Sequence, residues 1–206
     1  MTKYINILRK EFNSTRFPVF TLNDMRLFLS KSGISERYLK LLVNKTLKNK
    51  EIRRVGRGVY TFHDDITVAG FAYRPFYYGM EDALTYRNMW TQMSNPVVMT
   101  SLNVREGVRK FDGANYIVKR ISPKFFFGFD IIKYYDYWIP VSDNEKTLID
   151  LIYYKHGIRK EVLGPLTTSI NKQKLEEYLK QYGSRFRKRV RATLQESKQQ
   201  ANQSDS

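Results

Sequence analysis

Thr21, Gly33 and Ser35 punctuate the chain at intervals that leave few folds open to its first third. Thr21 precedes LNDMRLFLS, with Asp24 three residues on. The hydroxyl can satisfy early amide groups and the carboxylate suits the positive end of a helix, so a helix is expected from about Leu22 to Ser30. KSG follows, Gly33 supplying the backbone freedom of a tight turn. Ser35 then caps ERYLKLLVNKTLKNK, in which Leu39, Leu42, Val43 and Leu47 fall on one face and Arg37, Lys40 and Asn44 on another. One stripe is core; the other is polar and basic. Upstream, Tyr4, Ile5, Leu8 and Phe12 have helical spacing, and NSTRFPVF with Pro18 ends it.

The next segment sharpens this pattern. Ile52, Val55, Val59, Tyr60 and Phe62 suit two short strands joined near Gly56-Arg57-Gly58, where glycines permit positive backbone dihedrals. A dinucleotide-binding GxGxxG follows a strand and opens a helix. This GRG follows a helix, precedes a second strand-like run and lacks the third glycine. It reads as a wing with Arg53, Arg54 and Arg57 near its tip. Helix, glycine turn, helix and arginine-tipped hairpin together predict a winged helix-turn-helix domain over residues 1–64.

Charge agrees with that prediction. Of the net +16, residues 1–62 carry +10, with 14 Lys and Arg against 4 Asp and Glu. Residues 63–180 carry +2 and residues 181–206 carry +4. A basic end on a nearly neutral protein is the footprint of a polyanion, because each Lys or Arg that meets a phosphate releases counterions. An anionic membrane fits less well, since the basic segment lacks a broad apolar face with Trp or Phe beside its charges. No run of about 18 apolar residues could span a bilayer, and charges interrupt MTKYINILRKEF, so a cytoplasmic protein is expected. With no cysteine there is no disulfide framework or thiolate metal site, and only His63 and His156 offer imidazoles.

Beyond HDDITV, read as a linker, the composition turns Tyr- and Phe-rich. Residues 77–90 are expected to form a helix, and NPVVMTSL, ANYIVKRIS, KFFFGFDIIKY and DYWIPV four strands, with FDG as turn material. Ser142-Asp143-Asn144-Glu145 reads as a capping box opening KTLIDLIYY, and KQKLEEYLKQY as a further helix. The fold class is α+β: the N-terminal domain, a mixed domain over 68–183 with an antiparallel or mixed sheet, and a basic tail, 184–206, expected to be disordered.

No catalytic or cofactor motif emerges. His63-Asp64-Asp65 are sequence neighbours that rarely converge on one point, and Asp143, Glu145 and Lys146 lack the alternation of a nuclease element. No GxSxG, HExxH or Walker loop occurs. The chemistry expected is instead double-stranded DNA recognition without cofactor or metal. Arg37, Lys40 and Asn44 would reach base edges in the major groove. Ser35, Lys45 and Lys48 would meet phosphate, and Arg53, Arg54 and Arg57 the backbone or minor groove. The cluster SRFRKRVR, residues 184–191, is either a solvated face or an auxiliary contact to phosphate, RNA or an acidic protein. Two-fold operators would imply paired binding, yet no heptad or long dimerisation helix is visible, so the oligomeric state stays open.

The basic wing ending in RGVYTF, the run YYGMEDALTY, the strand VVMTSL, the extended KFFFGFD and the helix start NEKTLIDLI together resemble the AbiEi-like antitoxins of abortive-infection, type IV toxin–antitoxin systems. The motif residues are Arg57-Gly58-Val59-Tyr60 and Glu145-Lys146-Thr147-Leu148-Ile149-Asp150, and the likeness covers roughly residues 20–155. It implies a transcriptional regulator whose winged helix binds inverted repeats in its own promoter, with a C-terminal domain that counteracts a nucleotidyltransferase-type toxin; repression is the expected mode of regulation. The rival reading it raises is an interaction module, in which toxin neutralisation is primary and DNA contact secondary.

Overall fold

The computed structural model describes residues 2–12, 18–91, 95–155 and 160–204. Part of the NSTRFPVF break, residues 13–17, and His156 lie outside the described residues. The N-terminal unit comprises α1 (Thr2–Phe12), β1 (Phe20–Thr21), α2 (Leu22–Leu29), α3 (Glu36–Lys48), β2 (Arg53–Gly56) and β3 (Val59–Thr61). Its three strands form an antiparallel sheet in the order β1-β3-β2. The expected caps are present. The Thr21 amide donates to Asp24 Oδ2 at 2.7 Å while the Asp24 amide donates to Thr21 Oγ1 at 3.1 Å, a reciprocal box that satisfies donors a helix leaves orphaned. Ile5, Leu8, Met25, Leu29, Leu39, Leu42, Val43, Ile52 and Tyr60 close over a separate apolar cluster.

A 3-10 segment, Ile66–Tyr73, stands where a linker was expected. After it come β4 (Phe76–Tyr78), α4 (Met80–Tyr86), β5 (Val97–Thr100), β6 (Gly107–Phe111), β7 (Ala114–Arg120), β8 (Phe129–Tyr134), β9 (Tyr137–Ser142), α5 (Asn144–Tyr153), α6 (Lys160–Thr168), α7 (Lys172–Leu179) and α8 (Ser184–Ser204). The strands form one mixed sheet, β6-β7-β5-β4-β9-β8, with β5 parallel to β7 and β4 parallel to β9. The chain is therefore α+β with a mixed sheet. The FDG turn joins β6 to β7, Asp112 and Gly113 both having positive φ.

The strand period of two divides the burial. Tyr77, Val97 and Met99 point into a cluster with α5, α6, α7 and α8, while Phe76, Tyr78, Val98, Val118, Ile139 and Val141 point into one with the 3-10 segment. Three expectations are corrected here. Residues 77–90 are not one helix: Tyr77 and Tyr78 pair with Met99 and Val98 of β5, and only Met80–Tyr86 is helical. Residues 184–204 are helical, not disordered, because Phe186 stacks on Tyr182 at 4.9 Å and Val190 is fully buried among the helices. The start of α5 is capped by Asp143, which accepts from the Lys146 amide at 2.7 Å, and Glu145 instead accepts from the distant Asn171 amide at 2.7 Å.

Under α5 lies a buried polar knot. Lys146 Nζ pairs with Asp150 one turn on, Tyr77 Oη donates to Asp150 at 2.7 Å, and the ammonium lies 5.3 Å from the Phe127 ring centre. Burial pushes the Asp150 carboxyl up and the Lys146 ammonium down from their ordinary ranges, against their mutual attraction. On α4, Asp82 is also buried, and its Oδ2 has no hydrogen-bond partner among the described residues.

Two stability predictions follow from these groups. Asp150→Ala should cost about 3–5 kcal/mol by stranding the Lys146 charge, and adding Lys146→Met should recover part of that loss in urea unfolding. Desolvation pushes Asp82 up to about 7 from 3.8. Its carboxyl is therefore held neutral by folding, so its contribution is complete below about pH 4 and lost as pH rises towards 7. Asp82→Asn should shrink the stability difference between pH 4 and pH 8 by up to ~4 kcal/mol.

Candidate nucleic-acid interface

The α3 helix is divided along its length. Leu39, Leu42, Val43 and Thr46 are buried, and the Thr46 hydroxyl is satisfied by donating to the Leu42 carbonyl at 2.9 Å. Ser35, Arg37, Lys40, Asn44, Lys45 and Lys48 are all exposed. Arg37, Asn44 and Lys48 share one line at offsets of seven and eleven, with Lys40 and Lys45 flanking it. Ser35 is the N-cap, its hydroxyl oxygen accepting from the Tyr38 amide at 3.2 Å. Gly33, at φ 64, turns the chain between α2 and α3. An ion pair of 2.5 Å from Arg26 on α2 to Glu36 fixes the start of α3 and neutralises its exposed carboxylate.

Leu41 belongs to the same exposed row and was missed from the sequence. It lies four residues from Arg37 and three from Asn44, so the spacing that picked out those residues also points to it. It is 54% exposed, a chemistry suited to a thymine methyl rather than to phosphate. Lys50 was missed as well. It ends α3 in the left-handed region, φ 57, its amide donating to Leu47 O and the Glu51 amide to Thr46 O, the double bond pattern usually closed by glycine. A lysine there retains a cation between α3 and the hairpin at a backbone cost of about 1 kcal/mol.

The hairpin separates its three arginines. Its two-residue turn is Arg57-Gly58, with Gly56 opposite Val59 and Gly58 at φ 72. Gly56 does not use a positive φ; it is needed for close approach, since a β-carbon there would lie 2.8 Å from the Ala72 methyl. Arg57 is exposed at the tip, and Arg54 is exposed with its guanidinium 6.0 Å from the Tyr60 ring centre. Arg53 points the other way. It is bound to Asp112 of the β6–β7 turn at 2.5 Å and to Asp64 at 3.6 Å, and is thus half-buried and charge-compensated. The structure therefore brings Arg54 and Arg57 to the surface and withdraws Arg53 into a tether to the larger sheet.

The remaining candidate residues disperse. Asp64 pairs with Arg53, and Asp65 caps the 3-10 segment by accepting from the Thr67 amide at 2.8 Å. His63 stacks edge-on against Tyr137, and burial lowers its pKa. Asp143 accepts from Tyr178 at 2.8 Å and pairs with Lys174 at 3.0 Å. In the tail, Arg185, Lys188 and Arg189 are exposed, whereas Arg191 forms a fork with Glu176 at 2.8 and 2.5 Å. That helix packs with α5 and α6 on the sheet face opposite the hairpin.

No protein-family model matches the chain, and no curated protein matches it in sequence. Among solved structures, it is similar to the RV2827C protein of Mycobacterium tuberculosis, with TM-score 0.62 and 12% identity over 95% of this chain and 77% of that one. At that identity the likeness is one of fold, and it spans both the N-terminal unit and the larger sheet. No helix among the described residues is long and apolar enough to cross a membrane.

A double-mutant cycle checks the tether: Arg53→Ala and Asp112→Ala should show a coupling of about 0.5–1 kcal/mol in chemical unfolding.

Proposed function

We propose that the chain is a sequence-specific double-stranded DNA-binding transcriptional regulator, acting as a repressor through a winged helix-turn-helix in its N-terminal unit. The observation that carries the reading is the exposed row on α3. Arg37, Lys40, Asn44 and Lys48 share a surface whose opposite face is buried, and the chain passes from that row through Lys50 into a hairpin with Arg54 and Arg57 exposed. No carboxylate interrupts the row after Glu36, which Arg26 already neutralises. In this proposal the start of α3 enters the major groove. Arg37 or Lys40 suits guanine, Asn44 suits adenine, and Leu41 packs on a thymine methyl. Lys45, Lys48, Lys50, Arg54 and Arg57 supply phosphate contact and hence salt dependence.

The larger α+β unit carries a second proposed role only through the resemblance of Glu145–Asp150 to AbiEi-like antitoxins, namely neutralisation of a nucleotidyltransferase-type toxin. Lys146 and Asp150 are buried in the knot beneath α5. They would therefore support such an activity by shaping the domain rather than by touching a partner.

Fluorescence anisotropy on sites selected from random duplex DNA, across a salt series, tests the first role. Arg37→Ala and Asn44→Ala should each lose about 1–3 kcal/mol of discrimination at one base position. Arg57→Ala should weaken all sequences alike and lower the salt slope by about 1. Arg53→Ala should change affinity far less than Arg57→Ala, because its charge is already compensated by Asp112. Equal affinity for every duplex, unaltered by the α3 substitutions, would refute sequence-specific recognition.

A further inference from the structure

An open groove of about 550 Å³ lies where the 3-10 segment, the start of β4 and the β8–β9 hairpin meet. Its walls are mostly aromatic: Phe71, Phe76, Phe126, Phe129 and Trp138, with Ile131 beside them. Trp138 and Ile131 are 54% and 58% exposed. By strand alternation both belong to the sheet face that α5, α7 and α8 cover further along, so the helices stop short of them. Large apolar side chains left open together mark a binding surface, and this volume is that of a small-molecule site.

One charge stands in that lining. The Arg74 guanidinium lies 4.7 Å from the Phe71 ring centre. Among the described residues no carboxylate forms an ion pair with it. Burial lowers its pKa, as expected for a cation that has lost water without gaining a counter-charge. A guanidinium offers two parallel N–H donors that match a carboxylate. Among the described residues no second cation lines the groove, which suits one negative charge rather than a dianionic phosphate. The aromatic walls suit a flat ring, stacked or edge-on.

We propose that this groove binds a small aromatic carboxylate, its ring held among Phe126, Phe129 and Trp138 and its carboxylate paired with Arg74. The proposal is independent of DNA binding, and its test contains no nucleic acid. Calorimetric titration of the full chain with 1-naphthoate and with its uncharged analogue 1-naphthamide should show the acid binding about tenfold more tightly, the usual worth of a charged hydrogen bond. Arg74→Gln should bring the acid down to the affinity of the amide and leave the amide unchanged. Trp138→Ala should weaken both. Arg74 forms no ion pair among the described residues, so the Gln variant should keep the wild-type thermal transition. Failure of 1-naphthoate to bind at millimolar concentration, equal affinity for acid and amide, or indifference to Arg74→Gln would each overturn the proposal. So would a dimer in sedimentation that Trp138→Asp dissociates, since a second copy would then be the occupant of the face.

Discussion

Gly56 approaches Ala72 so closely that there is no room for a side chain between the N-terminal hairpin and the 3-10 segment. On either side of that contact the hairpin is divided between two cores. Ile52 and Tyr60 are buried with Leu39 and Leu42 of α3, whereas Val55 and Val59 pack with Val68, Phe71 and Phe76 over the large sheet. Arg53 completes the junction through Asp112. A two-stranded ribbon is marginal in water by itself. Here the two faces of the hairpin are stabilised by different apolar clusters, and the turn with Arg57 is left projecting because both faces are occupied. The segment that bears Ala72 against the hairpin also bears Phe71 into the aromatic groove, so two surfaces of different chemistry share one short stretch of backbone.

Beneath the sheet the central cost is electrostatic rather than steric. Lys146 and Asp150 lie inside an otherwise apolar cluster with no access to water. Burial of both charges is tolerated because Tyr77 donates to the carboxylate and two aromatic rings face the ammonium. Around that pair Asp143, Glu145, Lys174 and Tyr178 tie the starts of α5 and α7 together. Several polar groups at the head of α5 are thus bound to α7.

Legibility followed the range of the interactions involved. Thr21, Asp24, Gly33 and Ser35 act on residues no more than four positions away, and the structure places each in its expected cap or turn. The same holds for the FDG turn between β6 and β7. Where the deciding contact was distant, the reading went astray. Tyr77 and Tyr78 belong to a strand because β5 pairs with them, and the capping-box pattern at Glu145 yields to the Asn171 amide, 26 residues away in sequence. The tail has poor apolar content overall, yet Phe186 and Val190 are enough to hold it once α5 and α6 offer a surface.

By itself the sequence determined the capped helices on either side of Gly33, the hairpin turning near Gly56-Arg57-Gly58, the cationic stripe of α3 and the concentration of charge at the N-terminal end. Local backbone preference and helical periodicity require no partner to be read. Only the tertiary structure decided that Arg53 faces Asp112 while Arg54 and Arg57 face outward, that Lys146 is sealed beside Asp150, and that Trp138 stands open beside Arg74. Those outcomes depend on which distant strand or helix arrives alongside each residue, and charge, burial and pairing are properties of that neighbour as much as of the residue itself.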